Sequence, residues 1–158
     1  IKGVDLEGLL LATDWLRISG FYSYTDSEFT ELPATTVLVK NVLPYISEQR
    51  WGLSPTIELT GINPAWPEVT IAPKVYYQSE YFNLATDLEQ RIPARTLWDL
   101  RVDWKPAAAE GLTLAFVAQN LTDEESLEYY SAQYTQAGQS TATVIQPRTW
   151  YLEASYRF

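Results

Sequence analysis

The sequence predicts an all-β chain of about seven antiparallel strands joined up and down in chain order, and three observations predict it. Apolar and polar residues alternate with period two along several segments, which puts alternate side chains on opposite faces of a strand. Gly, Pro, Asn and Asp cut the chain into pieces of about 9–11 residues, the length of a tilted strand that crosses a bilayer. The connections between the pieces are short and long in turn, so one rim carries tight turns and the other large loops.

Taken in order, the first strand is Lys2–Ala12, ending in the apolar run Leu9–Ala12 before the short turn at Thr13-Asp14. The second, Leu16–Thr25, sets Leu16, Ile18, Gly20, Tyr22 and Tyr24 against Arg17, Ser19, Phe21, Ser23 and Thr25. The long connection Asp26–Arg50 leads to a third strand at Trp51–Thr60, which stops at Gly61. The short connection Gly61–Glu68 leads to a fourth at Val69–Gln78, and the long one, Ser79–Arg95, to a fifth at Thr96–Trp104. There Trp98, Leu100, Val102 and Trp104 oppose Leu97, Asp99, Arg101 and Asp103. The turn Lys105–Gly111 precedes a sixth strand, Leu112–Asn120, and the long segment Leu121–Arg148 precedes a seventh, Thr149–Phe158. In that last strand Trp150, Leu152, Ala154, Tyr156 and Phe158 share one face, and Tyr151, Glu153, Ser155 and Arg157 the other.

Composition narrows the function classes. A net charge of −9 with no basic cluster argues against nucleic acid and against an anionic membrane surface as partners. The absence of cysteine excludes disulfides and thiolate chemistry. The absence of histidine removes the commonest general base and the commonest transition-metal ligand. No apolar run approaches the length of a membrane-crossing helix, so any membrane role must fall to strands. The chain opens Ile1-Lys2-Gly3 and contains no methionine, which suggests a removed leader or a portion of a longer protein.

The six tryptophans decide what covers the apolar faces. Trp15, Trp66 and Trp104 fall at the short-turn rim and Trp51, Trp98 and Trp150 at the long-loop rim; none falls mid-strand. A soluble core would bury some indoles at its centre, whereas a bilayer draws Trp and Tyr to its two interfaces. Tyr22, Tyr24 and Tyr77 join the upper girdle, and Tyr156 and Phe158 the lower one. The alternative is that strand ends carry aromatics by chance. The membrane reading puts Glu153 and Arg157 on the wet side of the last strand, facing a lumen.

Several stretches resemble the carboxy-terminal part of the β-barrel of TonB-dependent outer-membrane receptors. They are "TDWLRISGFYSYTDSEF" (Thr13–Phe29), "LWDLRVDW" (Leu97–Trp104), "FVAQNLTDE" (Phe116–Glu124) and the terminal "PRTWYLEASYRF". In the third, Asn120, Thr122 and Asp123 can satisfy backbone groups where pairing stops and a loop begins. The resemblance implies a barrel of about 22 strands around a plug that carries the energy-coupling box. It implies a bacterial outer-membrane receptor that imports a scarce nutrient, most often a ferric siderophore, with energy relayed by the TonB complex. It also implies an assembly signal in the terminal Tyr156 and Phe158, read by the barrel-assembly machinery. Residues 1–158 then constitute one carboxy-terminal portion of such a barrel, without plug or earlier strands. Strand polarity agrees, because a first and a seventh strand run in the same direction and cannot pair antiparallel to close a barrel.

Catalysis is not expected. Asp5 with Glu7, and Asp99 with Asp103 around Arg101, lie on the wet face, but paired acids in a glycosidase need a desolvated cleft and a raised pKa. A cross-strand network lining the lumen suits them better. Asp123, Glu124 and Glu125 lack the spacing and glycine of a calcium loop, so no metal or cofactor is expected. The candidates for ligand capture are Tyr81, Phe82 and Arg91 in one long loop and Tyr129, Tyr130 and Tyr134 in the next, since aromatic rings among amides and hydroxyls suit a capturing surface. Their alternative role is to pack the loops together. Two other functions fit alternating strands: a passive porin or structural outer-membrane barrel, and a soluble lipocalin-like binding protein.

Overall fold

The computed structural model describes residues 1–34, 36–133 and 138–158. Its main feature is a seven-stranded antiparallel sheet with strands side by side in chain order. The wall strands are β1 (Lys2–Thr13), β2 (Leu16–Asp26), β3 (Gln49–Glu58), β4 (Glu68–Gln78), β7 (Arg95–Lys105), β8 (Leu112–Gln119) and β11 (Thr149–Tyr156). Two small hairpins stand in the long connections. They are β5 (Tyr81–Phe82) with β6 (Arg91–Ile92), and β9 (Leu127–Gln133) with β10 (Gln139–Val144).

The register shows why these residues make a two-faced wall. Val102 stands between Ile71 on β4 and Phe116 on β8, and Phe116 in turn opposite Leu152 on β11. On the same face, toward the long-loop rim, Tyr22 stands opposite Trp51, and Trp51 opposite Tyr77. Following these pairs across the strands places Leu6, Leu10, Ile18, Leu53, Ile57, Leu100, Leu114 and Leu152 on one face. The opposite face carries Asp5, Glu7, Arg17, Arg50, Lys74, Asp99, Arg101, Asp103 and Glu153. Because the side-chain period is two, a slip of one residue would interchange the faces, so the apolar pattern fixes the register.

The apolar face has no covering layer. Leu53, Trp98, Trp104, Phe116 and Leu152 are all exposed, with Leu152 at 76%. An apolar surface that continuous on a protein in water would be an interaction or aggregation surface, whereas against acyl chains it is solvated by its own kind. The buried apolar residues are few: small or flanked side chains of the wall (Val75 and Ala118 on the apolar face, Ala115 and Val117 on the other) and a cluster in the loop above β4 (Tyr81, Phe82, Ala85, Ile92).

The wall differs from the sequence expectation in detail. The third strand begins at Gln49 and ends at Glu58, two residues earlier at each end than the Trp51–Thr60 read from punctuation. Residues Leu59–Ile62 form a single helical turn, α1, instead. Gly61 is the cause, because a Cβ there would come within 2.6 Å of the Trp15 Cβ, and only a glycine lets this turn sit on the β1–β2 corner. Gly111 does the equivalent work in the β7–β8 turn. Its φ of 82° is left-handed, and its carbonyl accepts the Arg157 N–H at 3.0 Å, tying the end of β11 to that turn.

Candidate functional site: inner wall and loop stack

Candidate functional side chains gather in two places. The first is the inner wall near the short-turn rim. Arg101 is held by Asp103, Nη2 to Oδ1 at 2.8 Å, and reaches across β8 to Glu153 on β11, Nη1 to Oε2 at 2.9 Å. The small side chains of Ala115 and Val117 on β8 leave the room for that crossing. Arg17 donates to Glu58 at 2.7 Å across β2 and β3, and Lys105 pairs with Glu68 across β7 and β4. All these groups are partly exposed, so each pair contributes only about 0–1 kcal/mol. Together they alternate charge along this face of the sheet. Asp99 does not join the Arg101 network; its Oδ1 accepts the Asn120 N–H at 3.0 Å.

The second place is the long-loop rim, where three connections stack on one another. Residues 27–48 lie against residues 79–94 through Val39 N–H to Ala85 O at 2.8 Å and Tyr45 N–H to Phe82 O at 2.7 Å. Tyr45 has a φ of 62°, an uncommon conformation for a tyrosine that this backbone bond helps to hold. Glu80 lies between two cations, Lys40 at 3.4 Å and Arg91 at 3.2 Å, and Lys40 also sits 5.9 Å from the Phe82 ring centroid. On the other side the same loop binds the β9–β10 hairpin. The Tyr81 hydroxyl donates to Glu128 O at 2.6 Å, Asn83 Nδ2 to Tyr130 O at 2.6 Å, and Arg95 Nη1 to Leu127 O at 3.2 Å.

Burial pushes the Tyr81 phenol above its usual value, the nearby Arg95 opposing that shift and Glu128 reinforcing it. A raised phenol pKa keeps the donor protonated. The bond is therefore complete below pH 10 and is lost only as pH climbs through the raised value.

The base of the last long loop is a compact polar knot. Asn120 adopts a left-handed φ of 50°, which asparagine tolerates better than most residues. Its Nδ2 donates to Glu124 O at 2.9 Å and Gln146 O at 3.1 Å, and its Oδ1 accepts the Glu124 N–H at 2.8 Å. Asp123, also left-handed at 55°, accepts the Arg148 N–H at 3.0 Å and faces the Arg148 guanidinium at 3.5 Å. One asparagine thus joins both ends of the 121–148 connection.

The six ligand candidates fall into different settings. Tyr81 and Phe82 are buried, at 8% and 3% exposure, and serve as the packing centre of the stack. Arg91 is exposed and engaged by Glu80, Tyr129 is exposed, and Tyr130 is half-buried with its carbonyl bound by Asn83. Tyr134 lies outside the described residues. The structure therefore brings Tyr81, Arg91 and Tyr130 into one stack, with Tyr81 facing the hairpin. Sequence reading missed Lys40, Glu80 and Asn83, which lock the stack; no periodic pattern marks them, because they meet across separate loops.

Trp104 is the penultimate residue of β7 at the short-turn rim, and Trp15 and Trp66 lie in the β1–β2 and β3–β4 connections of the same rim. Trp51, Trp98 and Trp150 lie within the first few residues of β3, β7 and β11 at the other rim, and the Trp51 ring stacks on Tyr77 at 5.6 Å. At the end of the chain the Tyr156 and Phe158 rings are 6.4 Å apart, both exposed.

Comparison with known proteins places this architecture. Residues 1–121 match the family model described as TonB dependent receptor-like, beta-barrel. No curated protein sequence matches the chain. Among solved structures, the ferric yersiniabactin uptake receptor FyuA from Yersinia pestis aligns over 99% of this chain and 23% of its own, with a TM-score of 0.80 and 18% identity. The siderophore receptor PiuA from Acinetobacter baumannii aligns over 96% and 21%, with a TM-score of 0.71 and 20% identity. The ferric-catecholate import receptor Fiu from E. coli K12 aligns over 99% and 20%, with a TM-score of 0.74 and 14% identity. The chain thus spans less than a quarter of the length of each.

Proposed function

From the premise that this chain belongs to the TonB-dependent receptor-like β-barrel family, we propose that it forms wall and outer loops of a bacterial outer-membrane receptor for energised uptake of a ferric siderophore. The observation that carries this reading is the two-faced sheet, apolar without interruption from Leu6 to Leu152 on one side and charged on the other. Such a sheet suits lipid outside and a hydrated lumen inside. The names of FyuA, PiuA and Fiu support the substrate class.

In this reading the six Trp residues form two interfacial girdles, and Tyr156 with Phe158 presents the assembly signal to the barrel-assembly machinery. The plug and its contact with the TonB complex lie outside residues 1–158, every wall strand of which goes into the barrel. The two outer edges of the sheet, on β1 and β11, would pair with further wall strands, since open edges are not tolerated in lipid. Ligand would meet the loop stack first. Tyr129, Tyr130, Tyr134 and Arg91 offer rings, hydroxyls and a guanidinium to a polar, anionic ligand edge, while Tyr81 and Phe82 hold the stack in shape.

The test uses cells in which the full-length receptor is the only route for radio-iron-loaded siderophores. Uptake should cease when TonB is deleted. Changing Tyr129, Tyr130 and Tyr134 together to Ala should weaken binding at least about tenfold at equal surface abundance. Uptake that persists without TonB would identify a passive pore. Unchanged affinity in the triple variant would leave this loop as a cover for the barrel mouth.

A further inference from the structure

β3 and β4 are central strands of the wall, yet each carries a proline midway, and the register sets Pro55 opposite Pro73, between the pairs Leu53↔Val75 and Ile57↔Ile71. The direction of the backbone groups follows from the strand ends. Ser79 N–H donates to Gln49 O at 2.9 Å, while Glu58 N–H donates to Trp15 O at 2.9 Å and Thr25 N–H to Glu48 O at 2.8 Å. Backbone groups point to alternate sides along a strand, so odd-numbered residues of β3 address β4 and even-numbered ones address β2. Pro55 therefore faces Pro73. Neither has an N–H to give, so two carbonyls meet with no donor from the opposing strand.

The pairing reflects this. The β3–β4 ladder lapses between those flanking pairs, whereas β2–β3 runs unbroken through Ile18↔Pro55 and β4–β7 through Pro73↔Leu100. Each proline is harmless to one neighbour and costly to the other. In a membrane wall an unpaired carbonyl must find a donor, and lipid has none. Both rings occupy the apolar face. On the inner face Ser54 and Lys74 flank the lapse and, with Glu7 and Ser19, line an open cleft of about 480 Å³.

We propose that this lapse is a hydrated seam. Water from the lumen, admitted between Ser54 and Lys74, donates to the carbonyls of Pro55 and Pro73, and β3–β4 is the line along which the wall opens first. The seam is a property of the sheet and is independent of the ligand carried.

Residue-resolved amide hydrogen exchange on the full-length receptor in micelles tests it with controls inside the same strands. Leu53, Ile57, Ile71 and Val75 bond across the seam, whereas Ser54 and Thr56 bond to β2 and Ala72 and Lys74 to β7. The seam amides should exchange at least about tenfold faster than their alternating neighbours, as expected for a locally opening unit. Equal protection of the two sets would overturn the seam. Pro55→Val restores one donor and should slow the four seam amides toward the control rate; a folded Pro55→Val receptor with unaltered exchange would equally overturn it. Should that variant fail to fold, the comparison within the native protein decides alone.

Discussion

Asn120 shows how much one side chain can carry. It is 5% exposed and ends β8, and its amide satisfies backbone groups at both ends of a loop of more than twenty residues. Asn120→Ala removes the donor and the acceptor together and leaves those backbone groups unpaired, at a cost of about 2–3 kcal/mol. Asn120→Asp keeps the acceptor and the tolerance for left-handed φ but loses both donated bonds, so its loss should be intermediate. Urea unfolding of the refolded full-length receptor measures both, and equal stability of Asn120→Ala and the native protein would dismiss the knot. This role was legible in sequence, since Asn and Asp bind nearby backbone where a strand stops. The loop-stack locks were not. Glu80 meets Lys40 only because two loops with no shared pattern fold onto each other.

At the scale of elements, the seven wall strands were legible because burial on one face imposes a period of two, and the alternation of short and long connections set their order. The error at β3 has a physical origin: Gly61 lies within the helical turn α1, packed on Trp15, and does not mark the end of the strand. The β9–β10 hairpin was invisible for the opposite reason. Residues such as Ser140, Thr141, Ala142 and Thr143 are polar or small on both sides and exposed throughout, so no face is selected and no alternation is written. The hints were compositional: the tyrosines Tyr129 and Tyr130 and the β-branched Thr141, Thr143 and Val144. For the strands that do have faces, Val102→Arg puts a charge midway along β7 between Ile71 and Phe116. Near the bilayer midplane this should destabilise the refolded receptor by about 2–4 kcal/mol. A neutral effect in lipid would mean that this face is not against acyl chains.

The whole molecule is a seven-stranded wall whose strength depends on its surroundings. Its inner salt bridges are partly exposed and contribute little singly, its buried apolar residues lie partly in the outer loops, and its largest apolar surface has no protein cover. What makes the arrangement stable in this account is lipid on one side, water on the other, and neighbouring strands at the two open edges. Everything therefore turns on which face meets lipid. Spin labels placed singly at Leu97 to Trp104 of the full-length receptor in bilayers test it most directly. Labels at 98, 100, 102 and 104 should collide with lipid-dissolved oxygen, and those at 97, 99, 101 and 103 with a water-soluble paramagnetic reagent. A reversed pattern, or one with no period of two, would contradict the assignment of the apolar face to lipid.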